Sequence, residues 1–394
     1  TALGVAFPEA SGAAAAAMAA RDDGQVVESD TCMVAAAHPL AVDAGARVLR
    51  EGGSAADAMV AVQAVLGLVE PQSSGLGGGA FLVWYDAASG AVTTLDARET
   101  APLAADPRYL LDGEGEPLDF WEAVVSGRSV GVPGTPRLLE EAHRRWGRAN
   151  WPGLFTDAIA LADAGFTVSP RLAESVSAGS ERLAAFAPTA DYFLPDGEPL
   201  AAGARLTNPE YADTLRQLAA HGADAFYTGE IATDILAATR TPAHPGLLTV
   251  EDLARYRVIE RPAVCAPYRG HEVCGMGPPS SGGVAVAQIL GMLEPFDLAA
   301  LDPQDLTARR LMGDATRLAF ADRGRYLADS DFVPVPLRGL IAADYLAERA
   351  DLLRRDDALP EVAPGQPAWD HAQLWGDDRQ VERPATSHIS IVDA

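Results

Sequence analysis

Residues 54–69 constrain the fold of this chain more than any other stretch. Ser54 is placed to cap a helix running from Ala55 to Val69, and Pro71 stops it. Met59, Val60, Val62, Val65, Leu66 and Leu68 fall on nearly every side of that helix. A helix apolar all round has no face to offer water, so the rest of the chain must be built around it. The stretch before it, Leu40 to Arg50, has apolar residues at helical spacing on one side only, and Gly52-Gly53 ends it.

The loop Gly75-Leu76-Gly77-Gly78-Gly79 follows the buried helix. A strand from Phe81 to Tyr85, a turn at Ala87–Gly90 and a return strand from Ala91 to Leu95 come next. The first strand is apolar on both faces, which predicts a sheet covered on both sides. The return strand runs straight into Asp96-Ala97-Arg98-Glu99. Residues 135–260 read as helical, with segments at Phe155–Ala164, Pro209–His221 and, capped by Thr249, Val250–Tyr256. A strand pair, Ala263–Pro267 and Glu272–Gly275, turns at Arg269-Gly270. Pro278-Pro279-Ser280-Ser281-Gly282-Gly283 opens a helix through Leu293, with further helices over 305–327 and 342–353. Residues 355–385, rich in Asp, Pro, Gln and Arg, have no periodicity and read as an exposed linker. The linker stops at Ala385-Thr386, where Ser387 to Asp393 begin the alternation of a strand. Strands early, helices in the middle and strands at the end predict a layered α/β protein without repeated β-α-β units.

Composition excludes several classes. With 48% hydrophobic residues over 394 positions there is ample material for a core. The net charge is −25, and all 30 basic residues are arginine. Such a surface repels phosphate backbones, so no nucleic-acid partner is expected. No stretch of 18 apolar residues lacks a charge or a breaker, so no membrane span is expected. Residues 1–30 read as a loose lead-in. Its alanine run at 13–20 follows Glu9 rather than a basic residue and makes a poor signal peptide, so localisation stays unassigned.

Cys32, Cys265 and Cys274 form no C-x-x-C pair and no Cys/His cluster, and neither a metal nor a cofactor is expected. A two-residue turn at Arg269-Gly270 sets Cys265 opposite Cys274 at a non-hydrogen-bonded pair, with Cα atoms roughly 4.5 Å apart. Reduced neighbours are the expectation there, and a disulfide is the alternative.

Several motifs have simple structural readings. Gly75 to Ala80 fits the spacing G-x-G-x-x-A, but dinucleotide binding needs a strand before it and a helix after it, and here the order is reversed. Close backbone approach beside a buried strand explains these glycines better. Ser280 or Ser281 reads as a helix cap. No G-x-S-x-G elbow, H-E-x-x-H or P-loop is present. His38, His143, His221, His244, His271 and His371 are scattered and read as core or surface residues.

Two residues call for chemistry. Arg98 ends a buried hairpin. It is either half of a surface pair with Glu99 or a clamp whose guanidinium fork matches a carboxylate. Thr386 sits where a linker meets a strand. A threonine hydroxyl is a weak nucleophile, and a free α-amine on the same residue can serve as its base once the preceding bond is cut.

These residues carry a resemblance to gamma-glutamyltransferases. Thr386-Ser387-His388-Ile389-Ser390-Ile391 is similar to the start of that family's small subunit. Asp96-Ala97-Arg98-Glu99-Thr100-Ala101-Pro102 resembles its D-x-R-E-x-A-P segment, and Pro278 to Gly283 its P-P-S-S-G-G loop. Glu51 to Ala58, Gly75 to Gly79, Gly131 to Thr135, Ala321-Asp322-Arg323 and Tyr326 to Asp329 match in the same order.

The resemblance implies a four-layer αββα sandwich of the N-terminal-nucleophile hydrolase type, with its small-subunit part largely missing here. Residues 31–385 would be the large subunit, ending in the linker 355–385, and residues 386–394 would open the small subunit. It implies self-cleavage between Ala385 and Thr386, with Thr386 then the nucleophile and Arg98 binding the substrate carboxylate. The implied substrates are gamma-glutamyl compounds such as glutathione, with water, amino acids or peptides as acceptors. The chain's own small subunit would be its partner in a heterodimer. A glutaryl-type acylase such as the cephalosporin acylases, or a non-catalytic relative, is the alternative.

Overall fold

The structure, a computed structural model, describes residues 28–302, 305–369, 376–377 and 386–393. It divides into two compact units. The first comprises Thr1–Ala80, Ala97–Val258 and Pro384–Ala394, and the second Phe81–Asp96 and Ile259–Arg383.

The first unit is built around the Ala55–Val69 helix. Ala58, Val60, Val62, Val65 and Leu66 are fully buried, so the helix is enclosed as its composition requires. Ser54 caps it in a reciprocal box: its hydroxyl accepts the Asp57 N–H while the Asp57 carboxylate accepts the Ser54 N–H. Asp57 is itself fully buried. It also takes the N–H groups of Arg148 and Ala149 and contacts His143 Nδ1 at 2.8 Å. Burial alone would push this carboxyl up, but its N–H donors and the His143 ring outweigh it and hold it below the usual carboxylate range.

The Pro39–Arg50 helix begins at His38, whose Nδ1 accepts the Leu40 N–H at 3.2 Å. Burial pushes the His38 imidazole down to about 4, which leaves the ring neutral and able to accept that bond. Strand Met33–Ala35 pairs antiparallel with Ser390–Val392, bringing the two ends of the described chain together. The helical middle region follows the predicted segments closely, with Pro209–His221 and the Thr249-capped Val250–Arg255 as read from the sequence.

The second unit carries a three-stranded sheet ordered Ala80–Asp86, Ala91–Ala97, Ile259–Arg261, with one terminal residue of each of the first two strands in the other unit. The first strand lies at the sheet's edge, and Val83 and Tyr85 are 48% and 64% exposed. The expectation of a strand covered on both sides is therefore not met in this chain. An aromatic and β-branched run fixes strand propensity, not which faces are covered.

The hairpin Val264–Tyr268 and His271–Gly275 has the predicted register, Cys265 opposite Cys274. Arg269 and Gly270, both at positive φ, form its two-residue turn. The two cysteines are bonded, with Cα atoms 4.0 Å apart. The expectation of reduced neighbours is corrected, because a hairpin without a bulge leaves the two sulfurs no other register.

A buried polar hub organises the helices of this unit. Asp322 accepts bonds from Gln288, Tyr345, Arg349 and the Gly365 N–H. Gly365 belongs to the stretch read as an exposed linker. As far as residue 369 that stretch has no helix or strand. It is nonetheless tied down, Leu359 N–H to Asp314 and Tyr326 hydroxyl to the Gly365 carbonyl. Composition reported the missing periodicity correctly and missed the buried carboxylates that hold the segment.

His38 gives a pH dependence. A depressed imidazole pKa contributes stability that is complete above its ordinary value of 6.5 and lost as pH falls toward about 4. Asparagine at this position keeps a capping side chain but does not titrate. The His38→Asn variant should lose roughly 2–3 kcal/mol less than wild type between pH 7 and pH 4.5. Denaturant midpoints at the two pH values measure this, and equal acid losses in both proteins would overturn the assignment.

Candidate active site

Thr386 stands at the head of a segment whose far end is fixed. Ser390–Val392 pairs with Met33–Ala35 in the register Met33↔Val392, Val34↔Ile391, Ala35↔Ser390. Ile389 and Ile391 pack on the core of the first unit. Asp393 Oδ2 accepts the Ala55 N–H at 2.8 Å, so the strand is tied to the N-terminus of the enclosed helix. Exposure alternates residue by residue: Thr386 is exposed and Ser387 half-buried, and the pattern continues to Asp393. The Ser387 hydroxyl is shielded and has no hydrogen-bond partner among the described residues. His388 Nε2 lies 2.9 Å from Ser390 Oγ. Ala385, the other half of the expected cleavage site, lies outside the described residues.

Arg98 is exposed, and its backbone is held by neighbours the sequence did not single out. Leu95 and Ala97, just before it, are fully buried. The Arg98 carbonyl accepts the Tyr256 hydroxyl at 2.9 Å. Glu99 reaches back to the glycine loop and accepts the Gly79 N–H at 2.8 Å. Gly78 in turn gives its carbonyl to the N–H groups of Gly134 and Thr135. Thr100 bridges Val132. Three sequence motifs thus meet around Arg98: the glycine loop, the Arg98–Glu99 segment and Gly131–Thr135.

The glycines permit this closeness. A Cβ on Gly134 would stand 1.9 Å from the Ala97 carbonyl oxygen and 2.2 Å from the Tyr256 hydroxyl, and one on Gly79 2.6 Å from the Ala97 oxygen. Close backbone approach is what the glycine loop permits here. Arg98 and Thr386 belong to the same compact unit, and each is fixed by its own set of bonds.

The family model for gamma-glutamyltranspeptidase matches residues 41–394. The chain belongs to the gamma-glutamyltranspeptidase family. Its relatives include the glutathione hydrolase proenzyme of Bacillus subtilis (strain 168), 38% identical over 367 residues, covering 92% of this chain and 62% of the relative. The Acylase ACY 1 proenzyme of Pseudomonas sp. (strain V22) is 36% identical over 370 residues, covering 92% of this chain and 63% of that one. The crystal structure of Helicobacter pylori gamma-glutamyltranspeptidase superposes with a TM-score of 0.81 at 34% identity, covering 86% of this chain and 97% of that chain. The chain spans about three fifths of the length of the curated relatives it matches. Its α/β fold is that of the N-terminal-nucleophile hydrolases.

As a member of the gamma-glutamyltranspeptidase family, the chain shows what several of its motifs are for. Asp57, in the Glu51–Ala58 match, is a structural carboxylate. Asp96, two residues before Arg98, pairs with Arg261 at 2.7 Å within the second unit. The other two Arg261 nitrogens donate to the two oxygens of Asp331. The bonds to Asp331 and Asp96 outweigh burial and raise the Arg261 guanidinium.

In the Pro278–Gly283 loop, Ser281 stands at the start of the Gly282–Leu293 helix but makes no capping bond. Its hydroxyl instead accepts Arg323 Nε at 2.9 Å. Of the two serines expected to cap this helix, Ser280 accepts the N–H of its first residue, Gly282, at 3.3 Å, while an arginine from a distant helix takes the Ser281 oxygen. Among the described residues, side chains with metal-ligand spacing gather at Cys265, Glu272 and Cys274, whose two sulfurs are bonded to each other.

Gly134→Ala tests the knot behind Arg98. The added methyl cannot fit without moving the Ala97 carbonyl or Tyr256, so the variant should lose about 3 kcal/mol of stability. Tyr256→Phe, which removes only one hydrogen bond, should lose about 1 kcal/mol. A Gly134→Ala denaturation midpoint equal to wild type would show that the close approach is not needed.

Proposed function

We propose that the full-length protein is a self-processing gamma-glutamyl amidohydrolase. The observation that carries the reading is an exposed Thr386 four residues before the Ser390–Val392 strand, in a segment pinned by Ile389, Ile391 and the Asp393–Ala55 bond. In the precursor the Thr386 hydroxyl attacks the Ala385 carbonyl, the peptide bond becomes an ester, and water releases it. The freed α-amine then serves as base for the same hydroxyl. Thr386 attacks the gamma-glutamyl carbonyl and expels the amine, and water or an amino acid or peptide takes the acyl group. Arg98 holds the substrate carboxylate through its bidentate fork. Residues 31–385 form the large subunit and residues 386–394 open the small subunit, its partner in the mature heterodimer. Glutathione-like gamma-glutamyl amides are the substrate class, as the name of the Bacillus subtilis relative suggests.

The acylase relative supports a second reading, a glutaryl-type amide as substrate. Both substrates carry a carboxylate suited to Arg98, but only the gamma-glutamyl group carries an α-amine. Paired assays with gamma-glutamyl and glutaryl anilides separate the two.

Thr386→Ala should abolish both the split into two subunits and anilide release, whereas Ser387→Ala should leave the split intact. Mass spectrometry of the full-length protein reads this directly, and a Thr386→Ala protein that still splits would refute the nucleophile. Arg98→Lys keeps the charge and loses the fork, so it should raise KM about tenfold or more with little change in kcat. An unchanged KM would remove Arg98 from substrate binding.

A further inference from the structure

The Cys265–Cys274 hairpin has one face committed to packing and one face left available. Val264 is 4% exposed and sits in the core of the second unit with Val284 and Met292. Gly275 is pressed against the Pro278–Gly283 loop, since a Cβ there would stand 2.9 Å from the Gly283 Cα. Val264 and Gly275 are opposite one another in the ladder and lie on the packed face. Side chains alternate along a strand, so Cys265, Glu272 and Cys274 share the other face. Both cysteines are half-buried there and Glu272 is exposed. The two sulfurs and a Glu272 carboxylate oxygen all lie within 4.8 Å of one another.

We propose that this face is a redox-gated site for one thiophilic divalent cation such as zinc or cadmium. In the oxidised protein the sulfurs are consumed by their own bond. A phosphine opens that bond by becoming its oxide, water supplying the oxygen and the two protons that the sulfurs take up. Two thiols then stand on facing strands, with a carboxylate two residues along. Sulfurs sharing one tetrahedral zinc lie roughly 3.8 Å apart, given bonds of about 2.3 Å. Facing residues of an antiparallel pair can meet that spacing without backbone movement. Metal binding displaces two protons, leaving two thiolates, the carboxylate and a solvent position. The hairpin keeps its place while the disulfide is open, because its turn and its packed face do not depend on the sulfurs.

The test uses full-length protein carrying Cys32→Ser, so that only the hairpin thiols remain within the present sequence. After phosphine reduction and desalting, Cd2+ should bind at one ion per chain, read by the ultraviolet thiolate-to-cadmium band, and should raise Tm. The oxidised protein should show neither effect. Glu272→Gln should weaken binding at least about tenfold, and Cys274→Ser should abolish it. Reduced protein without the band, binding with no rise in Tm, an unchanged affinity in Glu272→Gln, or a band that survives Cys274→Ser would each overturn the proposal.

Discussion

The buried carboxylate of Asp57 is the interaction on which the first unit depends. A helix begins with N–H groups that have no partner inside it, and an enclosed helix cannot give them to water. Asp57 and Ser54 settle the first turn reciprocally, and Asp57 then gathers Arg148, Ala149 and His143 from the end of another helix. One carboxylate thereby fixes both the start of the core helix and the segment that packs beside it. The next donor along, the Ala55 N–H, goes to Asp393. The Ser390–Val392 strand, four residues beyond Thr386, is thus anchored at the positive end of the helix that the rest of the unit surrounds.

Arg98 is positioned by a different device. Its side chain is exposed, and its backbone is held by the Tyr256 hydroxyl and by glycine-lined contacts around Ala97. A rigidly held backbone suits the proposed role of Arg98 as a carboxylate clamp, since the fork is then presented from a fixed position. Asp96 and Glu99, its neighbours in sequence, have partners in other segments of the chain. Asp96 binds Arg261 and Glu99 binds Gly79. A short acidic and basic segment that looks like a surface charge cluster is three residues with separate tasks.

What the sequence made legible is local. The Ser54 cap, the Arg269-Gly270 turn and the alternation after Thr386 each depend on neighbours within a few positions, and all three appear where they were read. The family motifs are what singled out Arg98 and Thr386, the residues given roles in the proposed function. What stayed hidden are bonds between positions far apart in the chain. Tyr256 to Arg98, Arg323 to Ser281 and Asp322 to Gly365 leave no periodic trace. The exposed Val83 and Tyr85 and the tied segment before residue 369 were misread for the same reason, because coverage and anchoring are tertiary facts.

Two hydroxyls stand side by side at the candidate site, and strand register decides which one is offered. Thr386 and Ser387 are adjacent, and in an extended segment adjacent side chains point to opposite faces. Thr386 is on the exposed face with His388 and Ser390, while Ser387 shares the inward face with Ile389, Ile391 and Asp393. A slip of one residue would exchange them, burying the threonine and presenting the serine. It would also turn two isoleucines out of the core and break the Asp393 bond to Ala55. Uncovering two half-buried isoleucines costs about 1–3 kcal/mol, before the lost charged hydrogen bond is counted. In the proposed function, the choice of Thr386 over Ser387 rests less on their intrinsic chemistry than on Ile389, Ile391 and Asp393, which hold the strand in the register that leaves the threonine exposed.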